Sequence, residues 1–227
     1  MFKYLLPLFF LPSLANANSC INSILDAQIN RDWVYQVSYK GMQAEGLRRL
    51  TQSQNEWVLD QALSILLVSL NETSRMRLQN TELRTLSYVK EQKGLGARVT
   101  KINIDPLSGS VVSERKKKVY NYESKQPLLD PLGHSLQLQL DLSCGRAKEQ
   151  VRYLLANTRS VKEYVYLDSG SEKLNTPWGE RTSVRWSREE GDVRDTLWFV
   201  PDENYALVRV EHVEKGESST LVLTDIR

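Results

Sequence analysis

The chain has 227 residues, with 30 Lys and Arg against 28 Asp and Glu, a formal net charge of +2, and 41% hydrophobic residues. So even a balance excludes strong global attraction to nucleic acid, and the apolar content excludes a disordered tail. Two cysteines and two histidines are too few ligands for a zinc finger or ribbon.

The first 17 residues read as a secretory signal peptide. Lys3 supplies the positive start, Tyr4 to Leu14 a short apolar stretch broken by Pro7 and Pro12, and Ala15-Asn16-Ala17 the small-x-small cleavage pattern. The stretch falls short of the ~20 apolar residues of a membrane span, and no other run is long enough to cross after signal removal. Residues 18–227 are then expected to form a single all-β domain, placed in the periplasm. There Cys20 and Cys144 meet an oxidising compartment, and as the only two cysteines they have one intramolecular pairing, a disulfide. The rival role for Cys20 is a lipid anchor. Ala17-Asn18-Ser19 lacks the usual apolar residue three positions upstream, so the disulfide is the preferred reading.

Alternation at the strand period dominates the remainder of the chain. Trp33, Tyr35, Val37 and Tyr39 fall on one face of a first strand, and Gly41 and Gly46 bracket a turn or bulge. Leu63 to Leu70 is apolar on both faces, which predicts a central, doubly covered strand or a curved barrel wall. Strands are predicted at 83–92, 97–105, 117–123, 149–156, 162–169, 182–188, 193–200, 207–214 and 218–226, with turns at most of the gaps. Asp130-Pro131 reads as a helix N-cap followed by proline at the first helical position, with Gly145 closing the helix that 132–142 would form. The Leu-Gln alternation of 136–142 also fits a strand. Together these predict a mainly β fold: a single curved antiparallel sheet or partly open β-barrel with one short helix.

Signals for chemistry are weak. Asp168-Ser-Gly-Ser171 reads as a hairpin turn rather than a nucleophile elbow. His134 and His212 stand far apart, with no Cys or His at ligand spacing. Glu189, Glu190 and Asp192 fall in a solvated turn. Arg115-Lys-Lys-Lys118 is the one basic run. It could meet anionic lipid headgroups or phosphate, but a solvated hairpin end explains it better. These readings point to no enzyme, no cofactor and no metal. The aromatics Trp33, Tyr35, Tyr39, Trp186 and Trp198 either line a ligand cavity for an amphiphile or pack a closed core.

Four stretches carry a family resemblance: Tyr35-Gln-Val-Ser-Tyr-Lys-Gly41, Leu129-Asp-Pro-Leu132, Leu174-Asn-Thr-Pro-Trp-Gly179, and Leu197-Trp-Phe-Val-Pro201 leading into Leu207-Val-Arg-Val-Glu211. Their order and spacing, over about Asp32 to Ile226, resemble the bacterial domain of unknown function 3108 family, although Gly133 stands where that pattern has serine. The resemblance implies a periplasmic protein of uncharacterised activity with no catalytic residues to transfer, and by analogy the curved sheet of lipoprotein-carrier-like folds. Two functions are expected from this. One is a non-catalytic binding or carrier module for a lipid, another amphiphile or an envelope component. The other is a structural or interaction protein in envelope maintenance, its barrel filled and its partner an envelope protein.

Overall fold

The computed structural model describes residues 14–65 and 67–227, so most of the predicted signal lies outside the described residues. Helix α1 (Leu14–Asp26) precedes a meander of eight strands: β1 (Asp32–Tyr39), β2 (Met42–Ser53), β3 (Glu56–Ile65), β4 (Val68–Gln79), β5 (Glu82–Gly94), β6 (Arg98–Ile104), β7 (Ser110–Arg115) and β8 (Lys118–Glu123). Helix α2 (Gly133–Ser143) leads to a second meander of β9 (Gln150–Ala156), β10 (Val161–Thr176), β11 (Gly179–Glu190), β12 (Val193–Val200), β13 (Ala206–Glu214) and β14 (Glu217–Ile226). The two meanders meet where β1 pairs with β14, giving one antiparallel sheet of fourteen strands ordered β8 to β1, then β14 to β9. Twisted sheets longer than ~10 strands curl or split. This one curls, and its two edges, β8 and β9, are the strands that α2 connects.

That connectivity sends α2 through the interior. Leu132, Leu136, Leu138, Leu140 and Leu142 are buried in the main core with Ile21 and Leu25 of α1, Leu59 and Met76 of β3 and β4, and Trp186 and Phe199 of β11 and β12. Asp130 Oδ1 accepts the Leu132 and Gly133 N–H groups at 2.8 and 2.9 Å and so satisfies the start of α2, which begins at Gly133, two residues after the first helical position expected at Pro131. Gly145, at φ +66°, ends it, its N–H donating to the Leu142 carbonyl. Gly133 sits so close to β4 that an added Cβ would lie 2.7 Å from Met76 Sδ. A serine there would need the Met76 and Asp130 side chains to shift. Cys20 and Cys144 are joined by a disulfide that fastens α1 to the C-terminal end of α2.

The sheet does not close on itself. Residues 128–129 bridge its seam: Thr85 of β5 donates its N–H to the Leu128 carbonyl, Leu129 donates to Leu154 of β9, and Ala156 donates to Leu129. Strands β6–β8 overhang this seam as a flap. Ser113 and Tyr122 pin it by donating to the carbonyls of Thr158 and Asn157 in the β9–β10 turn.

Four sequence expectations need correction. Leu63 to Leu70 is not one doubly covered strand: the chain reverses after Ile65, Val68 pairs back with Ile65, and Leu67 is 84% exposed. Its two-faced apolarity belongs to a hairpin end, which periodicity alone does not separate from a buried strand. Gly46 lies inside β2 and in no turn, and its lack of a side chain answers a close approach: a Cβ there would meet the Leu63 and Val37 side chains at 2.6 and 2.8 Å. Asp168 to Ser171 is a bulge within the 16-residue β10, with Gly170 at φ +85°, rather than a hairpin turn. The structure also has two α-helices, where one was expected.

Candidate functional site

The five aromatics read as either cavity lining or closed core go to different places. Trp186 is packed in the main core. Trp33, Tyr35 and Trp198 join a second, smaller cluster with Val200, Ala206, Val208 and Leu223, closed by Leu174 and Trp178 from the β10–β11 hairpin. Alternate residues of β12 face opposite ways, so Leu197 and Phe199 enter the main core while Trp198 and Val200 enter the second. Tyr39 ends its strand at the surface and donates to Glu217. Trp33 and Tyr35 line a common void of about 20 Å³, against Leu136 and Gln139 of α2. The Tyr35 hydroxyl donates to the Leu207 carbonyl at 2.8 Å, and burial pushes its pKa up to about 12.

Polar side chains of α2 are buried with partners. Asp130 Oδ2 accepts from Ser74 and Thr85 hydroxyls at 2.5 and 2.7 Å, and burial raises its pKa despite four hydrogen bonds that favour the carboxylate. Gln137 Oε1 accepts the Leu83 N–H, Gln139 donates to the Asn204 carbonyl, and Arg48 donates to Ser135. His134 stacks on Tyr166 and shares a 2.9 Å hydrogen bond with its hydroxyl. Burial holds this imidazole near a pKa of about 4, with Asp195 opposing and Arg188 assisting. Arg188 lies over the Tyr164 ring at 3.5 Å and pairs with Asp195, which pairs in turn with the half-exposed His212. His134 also meets the Tyr164 ring edge-on, so the two histidines sit at the two ends of one chain of contacts, His134 at its buried end and His212 at its half-exposed end. Among the described residues, no group of three or more His, Cys, Asp or Glu is placed to hold a metal.

A cleft of about 420 Å³ opens along the seam, between the β4–β5 turn, residues 126–129 and β9, and Gln137 and Asp141 of α2 line it. Its origin lies in the backbone. The parallel pairing of Leu129 with β9 would continue by an N–H from residue 127 to Arg152, and Pro127 has none. In the cleft Asp141 accepts from Arg146 and from the Tyr153 hydroxyl at 2.6 Å, and burial beside that carboxylate raises the Tyr153 pKa. Sequence reasoning missed this cleft. Asp141, Arg146 and Tyr153 have no motif spacing, and the one usable signal was Pro127 ahead of an apolar pair.

The profile of the family described as protein of unknown function (DUF3108) matches residues 34–224. The structure is similar to a crystal structure of a beta-barrel-like protein of domain of unknown function DUF1849 from Brucella abortus. That likeness has a TM-score of 0.58 at 8% identity and covers 88% of this chain and 97% of that one. A candidate lipoprotein from Parabacteroides distasonis aligns over 88% of this chain and 95% of its own, at 13% identity and a TM-score of 0.32. No curated protein matches the chain. The first likeness establishes a shared fold and no activity.

Proposed function

The chain belongs to the DUF3108 family, whose function is unknown, and on that premise we propose that it is a non-catalytic protein of the periplasm that acts through its surface, with an envelope protein as partner. One observation carries this reading: α2 occupies the space inside the sheet, with nine of its eleven residues buried. The void beside Trp33 and Tyr35, about 20 Å³, is of the size of one water and not of an acyl chain. A carrier would need α2 to leave, and its capped N-terminus, its disulfide and its buried polar contacts all oppose that. The N-terminal signal pattern and the disulfide support placement outside the cytosol.

The test is native mass spectrometry of protein isolated from the periplasm, paired with titration by a fluorescent fatty acid. The expected mass is that of the chain without residues 1–17 and with the disulfide intact, and the fluorescence should rise without saturating. A stoichiometric co-purified amphiphile, or saturable uptake, would restore the carrier reading.

A further inference from the structure

The basic run at Arg115–Lys118 has a setting that the sequence did not reveal. Arg115 pairs with Lys118 across the β7–β8 hairpin, and Ser113 with Tyr120, so all four share one face of the flap. That face is the one turned to the β9–β10 turn, since Ser113 donates to the Thr158 carbonyl. The next residue, Arg159, places its guanidinium 5.6 Å from the Tyr120 ring centre. Between them lies a cleft of about 300 Å³ lined by Arg115, Lys116, Lys118, Tyr120, Thr158 and Arg159.

Four cations and no acid line this space. Among the described residues none of the four takes part in an ion pair, although fifteen such pairs of Lys or Arg with a carboxylate occur there and the chain as a whole is nearly neutral. Glu114, the nearest acid in sequence, lies on the opposite face of β7, opposite Val119. The turn itself holds Lys116 and Lys117 at φ +51° and +62°, a backbone that asparagine and glycine adopt more cheaply. Like charges gathered without counter-charge repel, and an anion bound among them relieves that repulsion while accepting charge-assisted hydrogen bonds.

We propose that the cleft between the β7–β8 hairpin and the β9–β10 turn is an anion site for a phosphate group, whether free or the headgroup of a lipid. Arg115 and Arg159 supply planar forks for the phosphate oxygens, and Lys116 and Lys118 supply point charges at the rim. The cleft is the size of a headgroup and opens to solvent at the tip of the flap, so a phosphate on a larger molecule could enter with its remainder outside. This site shares no residue with the interior, so it stands whether or not the interior takes a ligand.

The test uses the mature chain with its disulfide intact, in about 0.15 M salt, where contacts between distant surface charges are screened. Inorganic phosphate is titrated calorimetrically, and vesicles of phosphatidylglycerol are compared with vesicles of phosphatidylcholine by cosedimentation. Saturable binding to phosphate or to the anionic vesicles is expected. It should weaken at least ~10-fold in Arg115→Gln/Lys118→Gln and in Arg159→Gln, and stay within ~2-fold in Lys93→Gln/Lys101→Gln, which lose charge elsewhere on the surface. Binding to vesicles alone assigns a lipid headgroup, and binding to phosphate as well assigns the bare anion. Urea midpoints check that each variant is folded. No saturable binding in either arm, or equal loss in the two double variants, overturns the proposal.

Discussion

Helix α2 and the β6–β8 flap are both rich in polar residues, and the fold treats them in opposite ways. In α2, His134, Ser135, Gln137 and Gln139 are all buried, and each meets a partner on a surrounding element or on its own turn. In the flap, Arg115, Lys116 and Lys118 have no acid beside them and Val119 is 58% exposed. Polarity therefore does not decide which segment is enclosed. Connectivity does: α2 joins the two edges of the sheet and must cross its inside, and the sheet then supplies partners for what the helix carries.

The enclosure of α2 is most sensitive to its covalent anchor. Removing the disulfide with Cys20→Ser/Cys144→Ser releases a loop of 124 positions, which on the chain-entropy model costs at most ~5 kcal/mol. Urea unfolding of the oxidised and double-serine forms should show that loss, and unchanged midpoints would mean that α1 does not help to hold α2. Next is Asp130→Ala, which strands two hydroxyls and two backbone N–H groups and should cost about 3–4 kcal/mol by the same measurement. Asp130→Asn keeps one acceptor and should cost less than half as much.

A third effect depends on pH. His134 has its pKa lowered to about 4, so the stability its neutral ring contributes is present above the ordinary value of 6.5 and is lost as pH falls through about 4. The loss across that window is on the order of 3 kcal/mol. Asp130, with its pKa raised, works in the other direction, its contribution fading as pH rises. Comparing the chain with His134→Gln at pH 7, 5.5 and 4 therefore singles out the imidazole: the variant should lose the part of the acid sensitivity that begins near neutral pH. The smallest effect lies in the flap. Lys117→Gly relieves a left-handed backbone and should gain up to about 1 kcal/mol. A loss instead would mean that the Lys117 side chain holds the turn.

Much of this architecture was legible because alternation is a local signal. The strands of β5, β9 and β11–β14 fall close to their predicted places, and Asp130-Pro131 and Gly145 mark the ends of α2. The signal pattern and a count of two cysteines together gave the one pairing that the structure shows. What stayed hidden depends on distant neighbours. Gly46 reads as a turn until Leu63 and Val37 are seen to press on it. The Leu-Gln alternation of 136–142 fits strand and helix equally, and the partners of Gln137 and Gln139, at Leu83 and Asn204, decide for the helix. The basic run reads as a hairpin end, which it is, but Arg159 joins it only through the overlap of the flap with the β9–β10 turn.

The central claim is that α2 is a permanent filling of the sheet and not a lid or plug that withdraws. Hydrogen–deuterium exchange under native conditions tests it most directly. The amides of Leu136 to Leu142 should exchange only as fast as global unfolding allows, far more slowly than those of the exposed edge strand β8. Exchange of the α2 amides at the rate of β8, with the rest of the main core still protected, would contradict the account.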